Sequence, residues 1–151
     1  MKTVITNSAE ETQKLGEELA KSLNGSAVIT LQGDLGAGKT TFVQGFGCGL
    51  ELSQKIISPT FLIIKKYDIA DNKQKTKNKS FYHVDLYRLN SEHDVEGTGL
   101  LDILQEKDSI VVIEWPEKLG KFLPKNRIEI KFEYAGEKKR KITFNNLQNT
   151  N

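Results

Sequence analysis

Hydrophobic and polar residues follow a helical period near the start of the chain and strand-like patterns after it. Over residues 8–23, apolar and small side chains recur every three or four positions, which predicts an amphipathic helix. Either Asn7 or Ser8 is the expected N-cap, and Glu11 completes a capping box with Ser8. Residues 27–31 form a short, apolar run rich in β-branched side chains. This second pattern predicts a buried strand.

Five later segments carry strand patterns. They cover residues 62–67, 81–86, 110–113, 127–134 and 139–144. The last two alternate apolar and polar residues on either side of Ala135-Gly136, which predicts a C-terminal β-hairpin. Residues 91–106 carry weak helical signals, and the lysine-rich segment 71–79 is typical of a long hairpin tip. The mixture of β-α-β units with hairpins predicts a three-layer α/β fold with a mixed central sheet.

A second helix, from about Lys39, is predicted after a glycine-rich turn, but its composition is unusual. Gly45, Gly47 and Gly49 fall inside it, and each glycine costs about 1 kcal/mol relative to alanine in a helix. Two outcomes are open at this point: the helix ends early, or it packs closely against a neighbouring element.

Length and composition restrict the class of protein. The 151 residues are expected to form a single domain over residues 1–151. The 22 Lys and Arg against 20 Asp and Glu leave a net charge of +2, too balanced for a protein that coats DNA, RNA or an anionic membrane. A single cysteine, Cys48, cannot form an intramolecular disulfide, and no apolar run has the length of a signal peptide or membrane span. We therefore expect a cytoplasmic protein that contacts neither membrane nor DNA.

The strongest chemical signal lies between the predicted buried strand and the second helix. Residues 33–40, Gly-Asp-Leu-Gly-Ala-Gly-Lys-Thr, match the P-loop pattern G-x-x-x-x-G-K-[ST] in full and in the expected strand–turn–helix context. Loop amides and the helix N-terminus would bind phosphates, Lys39 would reach the terminal phosphates, and Thr40 would offer its hydroxyl to Mg²⁺. The expected nucleotide-binding residues are Asp34, Leu35, Gly36, Ala37, Gly38, Lys39, Thr40 and Thr41. The sequence therefore predicts a nucleoside triphosphate and Mg²⁺ as ligands.

Two carboxylates follow predicted strands, where a P-loop enzyme places the residue that orients magnesium and its water shell. Asp85 follows residues 81–84, and Glu114 follows residues 110–113. Either one orients the attacking water in this interpretation, and the choice between them stays open. Each is alternatively a simple strand-end charge.

Other side chains are weaker candidates. His83 shares strand parity with Asp85, so it flanks the site or serves in packing and hydrogen bonding. Trp115 is expected to be a core or rim aromatic near the nucleotide. Arg140 has the parity of the inward-facing residues of its strand, and with Thr12 it is a candidate for the adenine side of the pocket. Arg140 is equally interpreted as an edge-strand charge.

The class of P-loop protein is narrowed by absent motifs. The chain has no Asn-Lys-x-Asp sequence for guanine, which argues against a GTPase, and it lacks the length for a large remodelling ATPase. A small-molecule kinase fits the length, although no arginine-rich lid is evident. A module that binds ATP only to stabilise a docking surface also stays open.

Four sequence blocks together are similar to one family. They are Gly33 to Thr41, Ser58-Pro59-Thr60-Phe61, His83-Val84-Asp85-Leu86-Tyr87-Arg88-Leu89 and Ile113-Glu114-Trp115-Pro116-Glu117-Lys118. In content, order and spacing they resemble the bacterial TsaE family over nearly the whole chain. The first block is general to P-loop proteins, so the other three make the resemblance specific.

The resemblance implies an ATPase that is required for threonylcarbamoyladenosine, the modified adenosine beside the anticodon of tRNAs reading codons that begin with A. Such a protein acts on the TsaD–TsaB pair and meets tRNA only through that complex. Residue by residue, it implies that Thr40 and Glu114 hold Mg²⁺ and that Asp85 is needed for hydrolysis. Residues 58–61 would be a switch-like loop near the γ-phosphate. Because no intrinsic arginine finger is evident, hydrolysis by the isolated chain is expected to be slow.

The chain departs from the family pattern at two places. The segment 71–79 is longer and more basic than expected, and Gly47-Cys48-Gly49 loosens the helix after the P-loop. Neither touches a matched site residue. The lysines of 71–79 are expected to be a solvated loop, with contact to RNA as the alternative.

Overall fold

The computed structural model describes residues 1–58, 62–70 and 80–147, and it shows one seven-stranded mixed sheet. In chain order the strands are β1 Lys2–Thr6, β2 Ala27–Gln32, β3 Ile64–Asp68, β4 Ser80–Asp85, β5 Ser109–Glu114, β6 Ile128–Tyr134 and β7 Arg140–Asn145. Their order across the sheet is β1-β7-β6-β2-β5-β4-β3. The helices are α1 Ala9–Ser22, α2 Lys39–Gly49 and α3 Leu100–Ile103, with 3₁₀ segments at Glu92–Thr98 and Pro116–Phe122.

The centre of the sheet is parallel and its two sides are antiparallel. β2 pairs in parallel with β5 and β6, and β4 pairs in parallel with β5. Hairpin-like antiparallel pairs flank this centre, β6 with β7 on one side and β3 with β4 on the other. Because parallel strands run in one direction, the carboxyl ends of β2, β4 and β5 meet at the same edge of the sheet. The predicted mixed sheet and C-terminal hairpin are confirmed.

Two hydrophobic clusters cover the two faces of the sheet. On one face, Leu19 of α1 and Phe42 and Phe46 of α2 pack against the strands. On the other, Leu100 of α3 and Leu119 join the side chains that the strands present there. All six residues of β5 are buried, as expected for a central strand covered on both faces. The three-layer α/β arrangement predicted from the sequence is therefore confirmed.

Helix α1 begins where the sequence predicted. The Ser8 side chain accepts a hydrogen bond from the Glu11 N–H at 3.2 Å. The predicted capping box is only half formed, because a Glu11 carboxylate oxygen accepts from the Asn7 N–H at 2.6 Å instead of from the Ser8 N–H. The predicted weak helix over 91–106 instead becomes two short pieces, because Gly99 adopts a φ of 83° between them. The described residues contain no helix that is long and apolar enough to cross a membrane.

Helix α2 continues through all three of its glycines, so the prediction of close packing is confirmed and the early end is not. A Cβ added at Gly45 would lie 1.9 Å from the carbonyl oxygen of Gln13, and one at Gly49 would lie 2.5 Å from that of Glu17. The fit is reciprocal, since a Cβ at Gly16 of α1 would lie 2.2 Å from the Phe42 oxygen. The two helices thus approach with backbone against backbone.

One strand was not predicted. β1 pairs antiparallel with β7 at the edge of the sheet, with Val4 opposite Ile142. Only Thr6 among its five residues is buried, so β1 carries no buried apolar run, and its partner lies at the other end of the chain. The expected hairpin tip, 71–79, lies outside the described residues, although the antiparallel pairing of β3 with β4 on either side of it fits a hairpin.

Candidate functional site

The glycine-rich loop forms a tight turn between β2 and α2. Gly36 and Gly38 have φ values of 78° and 105°, which place them in the left-handed region. A Cβ at Gly36 would lie 2.8 Å from the Tyr134 hydroxyl, so a side chain at this position would displace Tyr134. Within the described residues, no side chain caps α2 and no acidic residue lies in its first turn. Its first N–H groups are thus available to an anion, which the helix dipole also favours.

A cavity of about 710 Å³ opens beside this loop. Most of the predicted site residues line it: Thr12, Leu35, Gly36, Gly38, Lys39, Thr40, Thr41, Asp85, Glu114 and Arg140. Two predicted nucleotide-binding residues do not. Asp34 is exposed. Ala37 is buried, and its N–H donates to the Asp34 backbone carbonyl at 3.1 Å as part of the turn itself.

Several lining residues were not singled out as site residues from the sequence. Ser8, Ala9 and Glu10 come from the start of α1, and Glu137 and Lys138 come from the turn between β6 and β7. Tyr87 and Arg88 follow β4, so two arginines, Arg88 and Arg140, line the cavity. Ser58 also lines it, while residues 59–61 of the predicted switch-like loop lie outside the described residues.

Lys39 is the most buried cation of the site, with 5 % of its surface exposed. Its ammonium donates a hydrogen bond to the Gly33 carbonyl and lies 3.8 Å from the centroid of the Trp115 ring. Burial lowers the pKa of Lys39, while the nearby Glu114 and Asp85 carboxylates act in the opposite direction. Trp115 lines the cavity and contacts the P-loop lysine, so it is a rim aromatic. Its backbone has a φ of 60°.

The two predicted carboxylates lie side by side. Asp85 and Glu114 are register partners at the carboxyl ends of β4 and β5. An Asp85 oxygen accepts a hydrogen bond from the Tyr87 N–H at 3.0 Å, and burial raises the pKa of Asp85 above its ordinary value. Together with the Thr40 hydroxyl they form an all-oxygen donor set beside the phosphate loop, which is the kind that Mg²⁺ shares with substrate phosphates.

His83 does not line the cavity. It is fully buried, and its Nε2 lies 2.6 Å from a carboxylate oxygen of Glu114, which is itself only 3 % exposed. The hydrogen-bonding interpretation of His83 is thus the one that the structure favours. Sequence parity placed His83 near Asp85 but gave no signal for its contact with Glu114.

The C-terminal hairpin braces the phosphate loop from outside. The Tyr134 hydroxyl donates to the Leu35 carbonyl at 2.6 Å, and Arg140 donates to the Gly36 carbonyl at 3.3 Å. The Arg140 guanidinium also lies 4.6 Å from the centroid of the Tyr134 ring. Arg140 therefore faces the site as its parity predicted. Its role toward adenine, like that of the buried Thr12, which bonds the Thr6 hydroxyl at 2.7 Å, stays a prediction.

Comparison with known proteins finds one family. The family model "Threonylcarbamoyl adenosine biosynthesis protein TsaE" matches residues 6–142. The tRNA threonylcarbamoyladenosine biosynthesis protein TsaE of Bacillus subtilis is 36 % identical over 144 residues, which cover 95 % of this chain and 85 % of that protein. The TsaE protein of Treponema pallidum is 32 % identical over 139 residues, covering 92 % and 96 %. The crystal structure of Bacillus subtilis YdiB superposes with a TM-score of 0.73 at 33 % identity, covering 95 % of this chain and 83 % of that one.

Proposed function

The chain belongs to the TsaE family of threonylcarbamoyladenosine biosynthesis proteins, and from that premise we propose that it is the Mg²⁺-dependent ATPase of this tRNA modification. The proposal is based on the observation that the P-loop, Lys39, Thr40, Asp85 and Glu114 line the same cavity. A family role in making threonylcarbamoyladenosine links the chain to the tRNA-modification machinery. The finer assignment, to ATP hydrolysis in support of TsaD and TsaB, is our proposal.

Each residue has a defined part in this proposal. The free N–H groups at the start of α2 bind phosphate oxygens, and the Lys39 ammonium leaves its contacts with Gly33 and Trp115 to pair with the terminal phosphates. Thr40 and Glu114 would hold Mg²⁺, which when bound neutralises charge on the β- and γ-phosphates. Thr12 and Arg140 lie at the part of the cavity proposed for adenine.

The reaction is phosphoryl transfer to water. A water oxygen forms a bond to the γ-phosphorus as the bond to the β–γ bridging oxygen breaks, giving ADP, phosphate and a proton. Asp85 is the group proposed to orient that water, because it is half-buried beside Glu114 and has one carboxylate oxygen committed to the Tyr87 N–H. Positioning and charge stabilisation are the main protein contributions to such a step.

We propose that turnover by the isolated chain is slow. Lys39 lines the cavity, but its ammonium is engaged by the Gly33 carbonyl and the Trp115 ring. Although Arg88 and Arg140 line the cavity, we propose that the group that stabilises the transition state comes from a partner. Such a group is worth about 10³ to 10⁵ in rate for related P-loop proteins. The test compares release of labelled γ-phosphate by the purified chain with release in the presence of TsaD and TsaB. Equal rates would contradict partner dependence, and label on a metabolite instead of water would indicate a small-molecule kinase.

The cellular test measures threonylcarbamoyladenosine in bulk tRNA by mass spectrometry. Cells that depend on this chain are supplied with Lys39→Ala, Asp85→Ala or Glu114→Ala, and all three are expected to lose the modified nucleoside. If only Lys39→Ala loses it, the chain is a docking module that binds ATP without needing hydrolysis. Undiminished nucleoside after depletion of the chain would contradict the pathway role but not the nucleotide site.

A further inference from the structure

We propose that His83 is a positioning residue, which holds the Glu114 carboxylate so that one of its oxygens faces the magnesium ion of the site. The inference rests on the proposed function, in which Glu114 holds Mg²⁺. His83 and Glu114 belong to neighbouring parallel strands, β4 and β5, and the residue two positions after His83, Asp85, is the register partner of Glu114. The Nε2 of His83 reaches the Glu114 Oε2 at 2.6 Å.

Burial gives this contact its weight. His83 has no exposed surface and the Glu114 residue is 3 % exposed, so little water is available to solvate the carboxylate. A buried carboxylate without a donor is costly, and a charged one is tolerated only when it is paired or hydrogen-bonded. In the part of the chain that the structure describes, His83 is the side chain that supplies this donor.

The hydrogen bond also sets the protonation of the ring. A Glu114 carboxylate that holds Mg²⁺ is ionised and only accepts, so in the proposed site the Nε2 of His83 donates in this contact. The Nδ1 is buried and has no hydrogen-bond partner among the described residues. A proton on Nδ1 would be a buried donor without an acceptor, which costs more than a bare ring nitrogen buried in the same place. The contact therefore places the donating proton of His83 on Nε2, toward Glu114.

Fixing one oxygen directs the other. A glutamate side chain loses rotamer freedom when it takes a single orientation, and the His83 bond to Oε2 imposes that orientation before any ligand arrives. Oε1 then remains as the acceptor available to a cation or to one of its water molecules. Groups behind a metal ligand act in this way, and their loss typically costs 10- to 100-fold in metal affinity.

Glutamine and asparagine make a matched pair of variants at position 83. The amide nitrogen of glutamine reaches the place of Nε2, whereas that of asparagine reaches only the place of Nδ1. Calorimetry with a non-hydrolysable ATP analogue, in Mg²⁺ and again in EDTA, gives the gain in affinity that magnesium provides. We expect His83→Asn to lose about 10-fold of that gain with its EDTA affinity unchanged, and His83→Gln to keep a gain close to that of the native chain.

A gain that is equal in His83→Asn and the native chain, or lost equally in both variants, would overturn the inference. Glu114→Gln separates this result from failure of the proposed function. If Glu114→Gln loses the gain while His83→Asn keeps it, Glu114 holds magnesium and His83 does not position it. If the native chain shows no gain, or Glu114→Gln retains it, the metal role of Glu114 falls and the inference falls with it.

A further measurement is made on the native chain and does not depend on a substitution at His83. The chain has two histidines, His83 and His93, so ¹⁵N-labelled histidine gives two ring spin systems, and His93→Gln assigns them. The ¹⁵N shifts are expected to show a proton on the Nε2 of His83. An Nε2 without a proton would overturn the inference, because it could not donate to Glu114.

Discussion

Helices α1 and α2 pack against each other along their length, yet their N-termini are completed in opposite ways. The start of α1 is satisfied by its own sequence: the Ser8 side chain accepts from the Glu11 N–H, a Glu11 carboxylate oxygen accepts from the Asn7 N–H, and acidic residues occupy the first turn. The start of α2 follows Gly38, and the described residues offer it no side-chain cap and no acidic first turn. One helix is locally complete, whereas the other is left open where an anion would bind.

The same contrast extends to burial of charge. The charges at the ends of α1 are exposed, as in the pair of Lys21 with Glu17, whereas Lys39 at the start of α2 is buried against a carbonyl and an aromatic ring. Surface pairs contribute little to stability, while buried charges are costly unless they are matched. The uncapped start of α2 therefore lowers the stability of the fold and leaves N–H groups for a ligand. Substitutions in each helix test this interpretation.

The largest effect is expected from Lys39→Ala, which should slow ATP hydrolysis. Lys21→Ala, which also removes a lysine from a helix, is the matched control. Removing the Lys39 ammonium leaves charge on the terminal phosphates uncompensated, and ATP hydrolysis should fall about 10²- to 10³-fold. Lys21 lies at the far end of α1 and should leave hydrolysis unchanged. Steady-state phosphate release by both variants, with and without TsaD and TsaB, checks this. Similar rates for Lys39→Ala and the native chain would contradict a catalytic role for Lys39.

Asp85→Asn should separate catalysis from stability. Without the carboxylate, hydrolysis should fall by about 10²-fold or more, the usual worth of a positioned acid–base group. Because burial raises the pKa of Asp85, its ionised form opposes folding above that pKa. The variant should therefore have a higher melting temperature than the native chain at neutral pH, without nucleotide.

The pH dependence gives the sign of that effect. A carboxyl whose folded pKa is raised destabilises the fold at high pH and stops doing so once it is protonated. The advantage of Asp85→Asn should shrink as pH falls through the raised pKa of Asp85. Asp68→Asn, at the exposed end of β3, is the control and should show no such loss. An advantage for Asp85→Asn that is independent of pH would contradict this account.

The contrast between the helices also explains what the sequence could predict. The Ser8 cap of α1 and the P-loop each lie within a few consecutive residues, so their patterns are visible without the fold. The brace from Tyr134 to Leu35 and the bond from His83 to Glu114 join residues 99 and 31 positions apart. Their geometry depends on sheet order, which no local pattern carries. For the same reason β1, whose partner β7 lies near the end of the chain, was missed.

Gly45→Ala should destabilise the fold although alanine is the better helix former. The new Cβ would lie 1.9 Å from the Gln13 carbonyl oxygen, so α1 and α2 must separate. We expect the free energy of unfolding to fall by about 2 kcal/mol, which outweighs the roughly 1 kcal/mol of propensity gained. Gly97→Ala, with open space around it, should be neutral or slightly stabilising. Urea denaturation compares the two, and a stabilised Gly45→Ala would refute the close helix contact.

The smallest expected effect is at the start of α1, the helix end that is capped by its own sequence. Glu11→Ala removes the carboxylate that accepts from the Asn7 N–H and lies in the first turn of α1. The expected loss is about 0.5 kcal/mol of unfolding free energy, measured by urea denaturation. Glu11 is exposed and does not line the cavity, so ATP affinity by calorimetry should not change. A change in affinity as large as that from a P-loop substitution would mean that the start of α1 is coupled to the ligand, and that the two helix ends are not independent. An unchanged affinity with a measurable loss of stability would instead show that capping serves the fold in α1, while the uncapped end of α2 is kept for binding.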